Sequence, residues 1–262
     1  MMPSVGIVAA VNDETVLNEN LKRSPSIETG AVPLLALRGQ PSASRAYNAG
    51  LDTTSHDIIV FAHQDVYLPA PWLDNLLDAI ETLERDQPHW GVIGLFGVTV
   101  TGQAVGHVWS SGIGRELGEA FAEPVAAVSI DEMVIVLRRA SGLRFDESLP
   151  GFHLYATDLC LAARTAGAGV YVIHAPAVHN SVPVRTLRGY YLNAYRYLKR
   201  KWAFMLPIRT PIAPITRYEL GFWRAEWRRV RTRITNSRRP PAERCDARLV
   251  ARSLGYEQTN VF

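Results

Sequence analysis

The 262-residue sequence predicts an α/β fold: a mostly parallel β-sheet flanked by helices, followed by a helical, basic C-terminal extension. Three observations lead there. Short apolar runs alternate with helix-period segments through the first two-thirds of the chain, the rhythm of strands joined by covering helices. The run Ile58-Ile59-Val60-Phe61-Ala62 is apolar at every position, as a strand buried on both faces requires. It stops at His63-Gln64-Asp65, and ligands of open α/β sheets bind beyond the carboxyl ends of the strands.

The elements follow in order. Val5 to Val11 reads as a first buried strand, turned by Asn12-Asp13-Glu14 into a short helix over Thr15 to Leu21. Val32 to Leu37 is a second strand. Ser42 caps a helix over Ala43 to Leu51. Asp57 to Ala62 is the third strand. Pro71 to Glu84 carries an apolar stripe of Trp72, Leu73, Leu76, Leu77, Ile80 and Leu83, which predicts an amphipathic helix. Trp90 to Phe96 is a fourth strand. The glycine-rich stretch from Gly97 to Val128 breaks the rhythm and reads as a β-hairpin or loop excursion over the site. Met133 to Leu137 and Val170 to Ile173 are further strands, separated by a helix over Leu154 to Ala166 that Gly167 and Gly169 stop. Beyond Pro183 the pattern is helical, with a proline-rich break from Pro207 to Pro214. This places a boundary between a domain at 1–183 and an extension at 184–262.

Hydrophobic content of 47% and charged content of 20% belong to a globular chain and exclude a disordered or fibrous one. No run approaches the ~18 apolar residues of a membrane span. The start, Met1-Met2-Pro3-Ser4-Val5, lacks the basic and apolar regions of a signal peptide. Cys160 and Cys245 are too few for a disulfide scaffold, so a cytoplasmic setting is expected. The net charge of +3 hides an asymmetry. Between residues 184 and 252, arginine and lysine far outnumber Glu219, Glu226, Glu243 and Asp246, and the first half is correspondingly acidic. Such a segment suits an anionic partner: a lipid surface, a nucleic acid or a phosphorylated substrate.

Four constellations stand out. In His63-Gln64-Asp65, Asp65 is the better metal ligand, and His63 is placed to touch a nucleotide, a metal or only its neighbours. Asp131-Glu132 precedes an apolar strand and suits sugar hydroxyls, a base role or a solvated strand edge. In Gly151-Phe152-His153-Leu154-Tyr155-Ala156-Thr157-Asp158, Asp158 lies in the first turn of a helix, where a carboxylate meets the positive end of the dipole. In His174-Ala175-Pro176-Ala177-Val178-His179-Asn180-Ser181, His179 follows the last strand and is expected beyond the same end of the sheet as Asp65. Imidazole and carboxylate together suit Mn²⁺ or a similar ion.

In this order the motifs resemble glycosyltransferase family 2, with its GT-A, Rossmann-like fold, over residues 4 to about 202. Ser42-Ala43-Ser44-Arg45-Ala46-Tyr47-Asn48-Ala49-Gly50 resembles the helix that precedes the family's metal motif. Phe61-Ala62-His63-Gln64-Asp65 resembles the Asp-x-Asp motif, with His63 in place of the first acid. Asp131-Glu132 resembles the Asp-Gly of the acceptor-side strand. Asp158-Leu159-Cys160-Leu161 resembles the end of the Glu-Asp-x-Asp-Leu-Cys-Leu signature, and His179-Asn180-Ser181 the closing metal histidine. The His-Gln-Asp form and Gly151 to Tyr155 point to a bacterial glycosyltransferase-like subgroup. The chain departs from the family at Ala156, where the catalytic base usually stands; a methyl group takes no proton.

The resemblance implies a metal-dependent transfer of a sugar from a nucleotide-diphosphate sugar to a glycan or lipid-linked acceptor, with inversion, as in polysaccharide biosynthesis. Asp65 and His179 would hold Mn²⁺ or Mg²⁺. Asn12 and Glu14 would lie by the nucleotide base, Arg45 and Asn48 would support its pocket, and His63, Glu132 and His153 would line the substrates. Asp158 or Asp131 would act as base. Three alternatives stay open: a form inactivated by substitution at Ala156, a non-catalytic relative that binds nucleotide sugars, or a binding protein that works through its arginine-rich segment. In that segment Arg224, Arg228, Arg229, Arg231 and Arg233 stand beside Phe222, Trp223 and Trp227, a pattern suited to an anionic membrane face or, less readily, to nucleic acid.

Overall fold

The computed structural model describes residues 2–184, 186–235 and 244–257, with the backbone alone for 232–235. Arg185, Arg238, Arg239, Glu243 and the side chain of Arg233 therefore lie outside the described residues.

The apolar runs form the strands β1 (Val5–Val11), β2 (Leu34–Arg38) and β3 (Ile58–Ala62), followed by the two-residue β4 (Val66–Tyr67). Trp90 to Phe96 divides into β5 (Trp90–Gly94) and β6 (Phe96–Val98). The glycine-rich excursion supplies β7 (Ala104–Ser110), β8 (Arg115–Gly118), β9 (Val125–Ala126) and β10 (Ser129–Ile130). Then come β11 (Val134–Arg138), β12 (Gly169–Val172) and β13 (Ala177–His179). The helices are α1 (Glu14–Glu19), α2 (Pro25–Glu28), α3 (Ala43–Thr53), α4 (Trp72–Asp86), α5 (Tyr155–Thr165), α6 (Tyr190–Lys201), α7 (Leu220–Thr235) and α8 (Ala247–Ser253).

Among the described residues, the main sheet runs β2-β1-β3-β11-β5-β12-β9. β1 pairs parallel with β2 and β3, and β5 with β12, while β11 and β9 run against their neighbours. Five of the seven strands thus point one way, and the predicted mostly parallel sheet with covering helices is what forms. Its central strand β3 is buried throughout. Helices pack on both faces, because βα units must cover a sheet that is apolar on both sides. α3 and α5 lie on one face with Tyr47, Leu51, Tyr155 and Leu159, and α4 on the other with Trp72, Leu76, Ile80 and Leu83.

The excursion forms hairpins, as expected, with β7 pairing antiparallel to β6 and to β8, and these join a second sheet. Its order is β10-β6-β7-β13-β4, with β8 on β7. β13 pairs parallel with β7 and antiparallel with β4, setting His179 opposite Ser110 on one side and Val66 on the other. That register brings His179 beside the chain that carries Asp65.

The segment beyond residue 183 shares the main core. Leu187, Tyr191, Tyr195, Leu198, Ile208, Ile215 and Phe222 belong to the same buried cluster as Tyr155 and Leu159. Part of its basic charge is spent internally: Arg196 and Lys199 meet Glu219, and Arg248 meets Glu28. Phe222 is fully buried, whereas Trp223 (44% exposed) and Trp227 (62% exposed) face outward.

Candidate functional site

The ends of β3 and β13 bring His63, Asp65 and His179 together, each offering a ligand atom within 4.8 Å of the others. Asp65 Oδ1 lies 3.4 Å from His179 Nε2 and 4.0 Å from His63 Nδ1. The backbone fixes all three. His63 N–H donates to Met133 O at 2.9 Å, and Val66 N–H donates to His63 O at 3.2 Å, which turns the chain so that Asp65 faces back. Asn180 N–H donates to Asp65 O at 2.8 Å and locks the two strand ends together.

The ring of His63 is oriented from behind. Its Nε2 lies 2.7 Å from the Tyr155 hydroxyl, which donates to Glu132 O at 3.3 Å. When the phenol donates to that carbonyl, Nε2 carries the proton and Nδ1 presents a lone pair toward Asp65. A second hydrogen bond of this kind is how metal-ligating imidazoles have their tautomer set. Tyr155 is in turn held by an aromatic cluster: Tyr47 and Tyr155 have centroids 5.5 Å apart, Tyr47 and Phe61 4.7 Å, and Phe61 and Phe145 5.0 Å.

The electrostatics suit cation binding. Burial, with the neighbouring His179 and His153, lowers the pKa of His63 and keeps it neutral. Burial would raise the pKa of Asp65, but the adjacent His179 outweighs it and holds the carboxyl well below its usual range. Burial pulls His179 the other way, and Asp65 overcomes it to raise the imidazole. The pair meets at 3.4 Å as carboxylate and imidazolium, and a divalent ion bound there would displace the proton.

The carboxylates divide by environment. Asp131 is half-buried at the start of the β10–β11 turn, where its Oδ1 accepts from Met133 N–H at 3.0 Å and its charge acts on both His63 and His179. Glu132 is pushed well above the ordinary carboxyl value by burial and by Asp131, against the pull of the Leu154 and Tyr155 backbone amides. Asp158 is 3% exposed and points elsewhere. Its Oδ1 accepts from Trp202 Nε1–H at 2.7 Å and its Oδ2 from Lys201 Nζ at 2.8 Å. Ala156 lies in the core against the main sheet.

Asn12 is tied to the loop that carries His63 and Asp65. Gln64 Oε1 accepts from the N–H groups of Asn12 (2.9 Å) and Asp13 (3.1 Å), and Gln64 Nε2 donates to Asn12 Oδ1. Glu14 forms a bidentate pair with Arg38 at the end of β2, on the open surface. Arg45 is exposed on α3. Asn48 is buried and holds the 145–147 segment, with Nδ2 donating to Phe145 O (2.9 Å) and Glu147 Oε1 (3.0 Å), and Oδ1 accepting from Phe145 N–H (3.0 Å). His153 is half-buried against Tyr191, and burial lowers its pKa.

Four residues shape the site that sequence reasoning did not single out: Gln64, Tyr155, Asn180 and Trp202. Gln64, Tyr155 and Asn180 stood inside the motifs, but their partners lie far off in sequence, so no local signal marks them.

A model of the glycosyltransferase-like family matches residues 6–200. The chain belongs to this family. A relative from Fuscovulum blasticum, named ATP synthase subunits region ORF 6, is 34% identical over 122 residues, covering 44% of this chain and 48% of the relative. The chain thus spans about half the length of that curated relative. Among solved structures, GalNAc-T7 with UDP, GalNAc and Mn²⁺ aligns with a TM-score of 0.50 and 11% identity, over 79% of this chain and 52% of that one. The mannosyltransferase PcManGT from Pyrobaculum calidifontis, in complex with GDP-Man and Mn²⁺, aligns with a TM-score of 0.49 and 13% identity, over 98% of this chain and 81% of that one. The fold of this glycosyltransferase-like protein is the GT-A fold.

Proposed function

We propose that this glycosyltransferase-like protein transfers a sugar from a nucleotide-diphosphate donor to a glycan or lipid-linked acceptor, with inversion and with a divalent metal at His63, Asp65 and His179. The observation that supports this best is the convergence of two imidazoles and a carboxylate beyond the strand ends. The site fits the ion: two neutral-donor nitrogens and an anionic oxygen suit Mn²⁺ or a similar borderline cation, and the Tyr155 hydroxyl supplies the outer hydrogen bond that ligating histidines use. Mg²⁺ fits less well, since it favours all-oxygen sets.

When bound, such an ion neutralises the negative charge that develops on the departing diphosphate. The rest falls to the chain. Gln64 holds the Asn12–Asp13 turn against the metal loop, so the base-side wall and the phosphate side move as one body. Glu14 with Arg38, and Arg45, present polar surface to the nucleoside. Asp131 takes the acceptor hydroxyl proton as the acceptor oxygen bonds to the anomeric carbon and the bond from that carbon to the diphosphate oxygen breaks. Of the two candidate bases Asp131 is favoured, because Asp158 has both oxygens committed to Lys201 and Trp202.

One observation supports a membrane-side acceptor. Trp223 and Trp227 face outward on α7, with Arg188 and Arg231 over their rings at 5.7 and 5.5 Å. Exposed tryptophans among arginines suit the headgroup region of an anionic bilayer. Among the described residues no helix is long and apolar enough to cross a membrane. Calorimetry with Mn²⁺ and a panel of nucleoside diphosphates tests the central reading. Metal-dependent binding that Asp65→Ala weakens by at least ~10-fold is expected, and metal-independent or unchanged binding would remove Asp65 from the site.

A further inference from the structure

The chain returns to the metal triad after α7. Cys245 N–H donates to Asn180 Oδ1 at 3.1 Å, and Asn180 Nδ2 donates to Cys245 O at 2.7 Å. Asn180 is the residue after His179, and its own N–H is the one bonded to Asp65. Arg244 is thereby set at the rim, with its Nε donating to Asn180 O at 3.2 Å. The following turns are anchored independently. Asp246 caps α8 by accepting from the N–H groups of Arg248 and Leu249. Arg248 donates to Arg23 O (2.7 Å) and Glu28 (2.8 Å), and the Tyr256 hydroxyl donates to Glu116 at 2.8 Å.

The Arg244 charge acts on Asp65. Its terminal nitrogens make no hydrogen bond to the described residues, and it is exposed. A fixed guanidinium beside a divalent cation is repelled unless an anion lies between them. The anion that suits both is a diphosphate, with one set of oxygens on the metal and another on the planar donor fork.

Resting on the transferase reading above, we infer that Arg244 is a diphosphate-binding residue, carried to the metal triad by the C-terminal segment and aimed by Asn180. The purely structural alternative is that Arg244 only steadies the Asn180 loop. The two differ in sign toward the bare metal: loss of a neighbouring positive charge leaves cation binding unchanged or tighter, whereas loss of a brace loosens it.

Calorimetry on the full chain decides this, with Mn²⁺ alone and then pyrophosphate, UDP and GDP in its presence. Arg244→Ala should weaken binding of the diphosphates ~10-fold or more, while Mn²⁺ alone binds as in the wild type or more tightly. Arg244→Lys should recover part of the loss, because an ammonium keeps the charge but not the fork. Equal diphosphate affinity in Arg244→Ala and wild type overturns the assignment, as does a parallel loss of Mn²⁺ affinity. Wild-type protein that binds none of the three anions with Mn²⁺ overturns the transferase reading as well.

Discussion

Trp202 and Asp158 meet through an indole N–H···O bond of 2.7 Å, in a position where neither is open to solvent. With Lys201 on the other oxygen, this carboxylate ties α5 to the end of α6. Asp158→Ala should cost on the order of 3 kcal/mol in urea unfolding, since it orphans a buried indole N–H and removes a charge-assisted bond. Asp158→Asn, which keeps an acceptor for Trp202, should cost less and leave turnover of the folded protein near normal. An Asn variant with an unmoved unfolding midpoint and no turnover would return the base role to Asp158.

Asp131→Asn should behave in the opposite way. The amide preserves the bond from Met133 N–H but accepts no proton from an acceptor hydroxyl. Turnover should fall ~10²–10⁴-fold with metal-dependent nucleotide binding retained. Steady-state rates alongside calorimetry make the comparison, and a variant with full turnover excludes Asp131 as base.

Tyr155→Phe tests the outer hydrogen bond. The substitution keeps the aromatic cluster but leaves His63 Nε2 without its partner, so the tautomer that aims Nδ1 at the site is no longer favoured. Mn²⁺ affinity should drop roughly 10–100-fold, read by metal titration with the melting temperature as a folding control. Wild-type affinity would mean that His63 is held by its backbone alone.

Cys160 predicts a pH dependence of stability. Burial pushes its thiol up to about 12 from the ordinary 9.0. A raised folded value means the native state keeps its proton after the unfolded chain has lost it. The contribution is therefore complete below the free-thiol value and is lost as pH rises toward the folded one. At ~1.4 kcal/mol per pH unit the loss is on the order of 4 kcal/mol at most. The buried Tyr47 is shifted upward as well, so the two slopes share a sign. Urea unfolding across this alkaline range should show a shallower decline for Cys160→Ala than for wild type, and identical slopes would contradict the shift.

For the membrane reading, Trp223→Ala with Trp227→Ala should lower co-sedimentation with anionic vesicles by roughly 10-fold at low salt, with nucleotide binding unchanged. Point substitutions serve better than removal of everything after Thr216. That cut would take Phe222 from the core and Cys245 from Asn180. Full-length protein that ignores such vesicles at low salt would assign the tryptophans to another contact.

Much of this architecture was legible in the sequence, for physical reasons. The β1 and β3 runs are apolar because both faces are covered, and Asp65 stands past the β3 run because the chain there leaves the main sheet; His179, expected after the last strand, is instead the final residue of β13. Of the second sheet only the hairpin was legible. β4 and β13 span two and three residues, too short for any periodicity, and the register that seats His179 opposite Val66 is a non-local pairing. Asp158 fits a helix-dipole role in sequence, and only the return of α6 shows that Trp202 and Lys201 occupy it. Ala156 likewise reads as a missing acid until its core position is seen. The Arg-rich segment looked like one basic surface; the fold divides it into internal pairs, an outward α7 face and a strand of chain that returns to the triad.

The clasp between Asn180 and Cys245 also sets an order in time. Its two halves are 65 residues apart. At roughly 5–20 residues per second, a ribosome takes several seconds between them. Until then the segment after His179 lacks both of its Cys245 bonds, so the last turns of the chain complete a pairing begun at the strand ends.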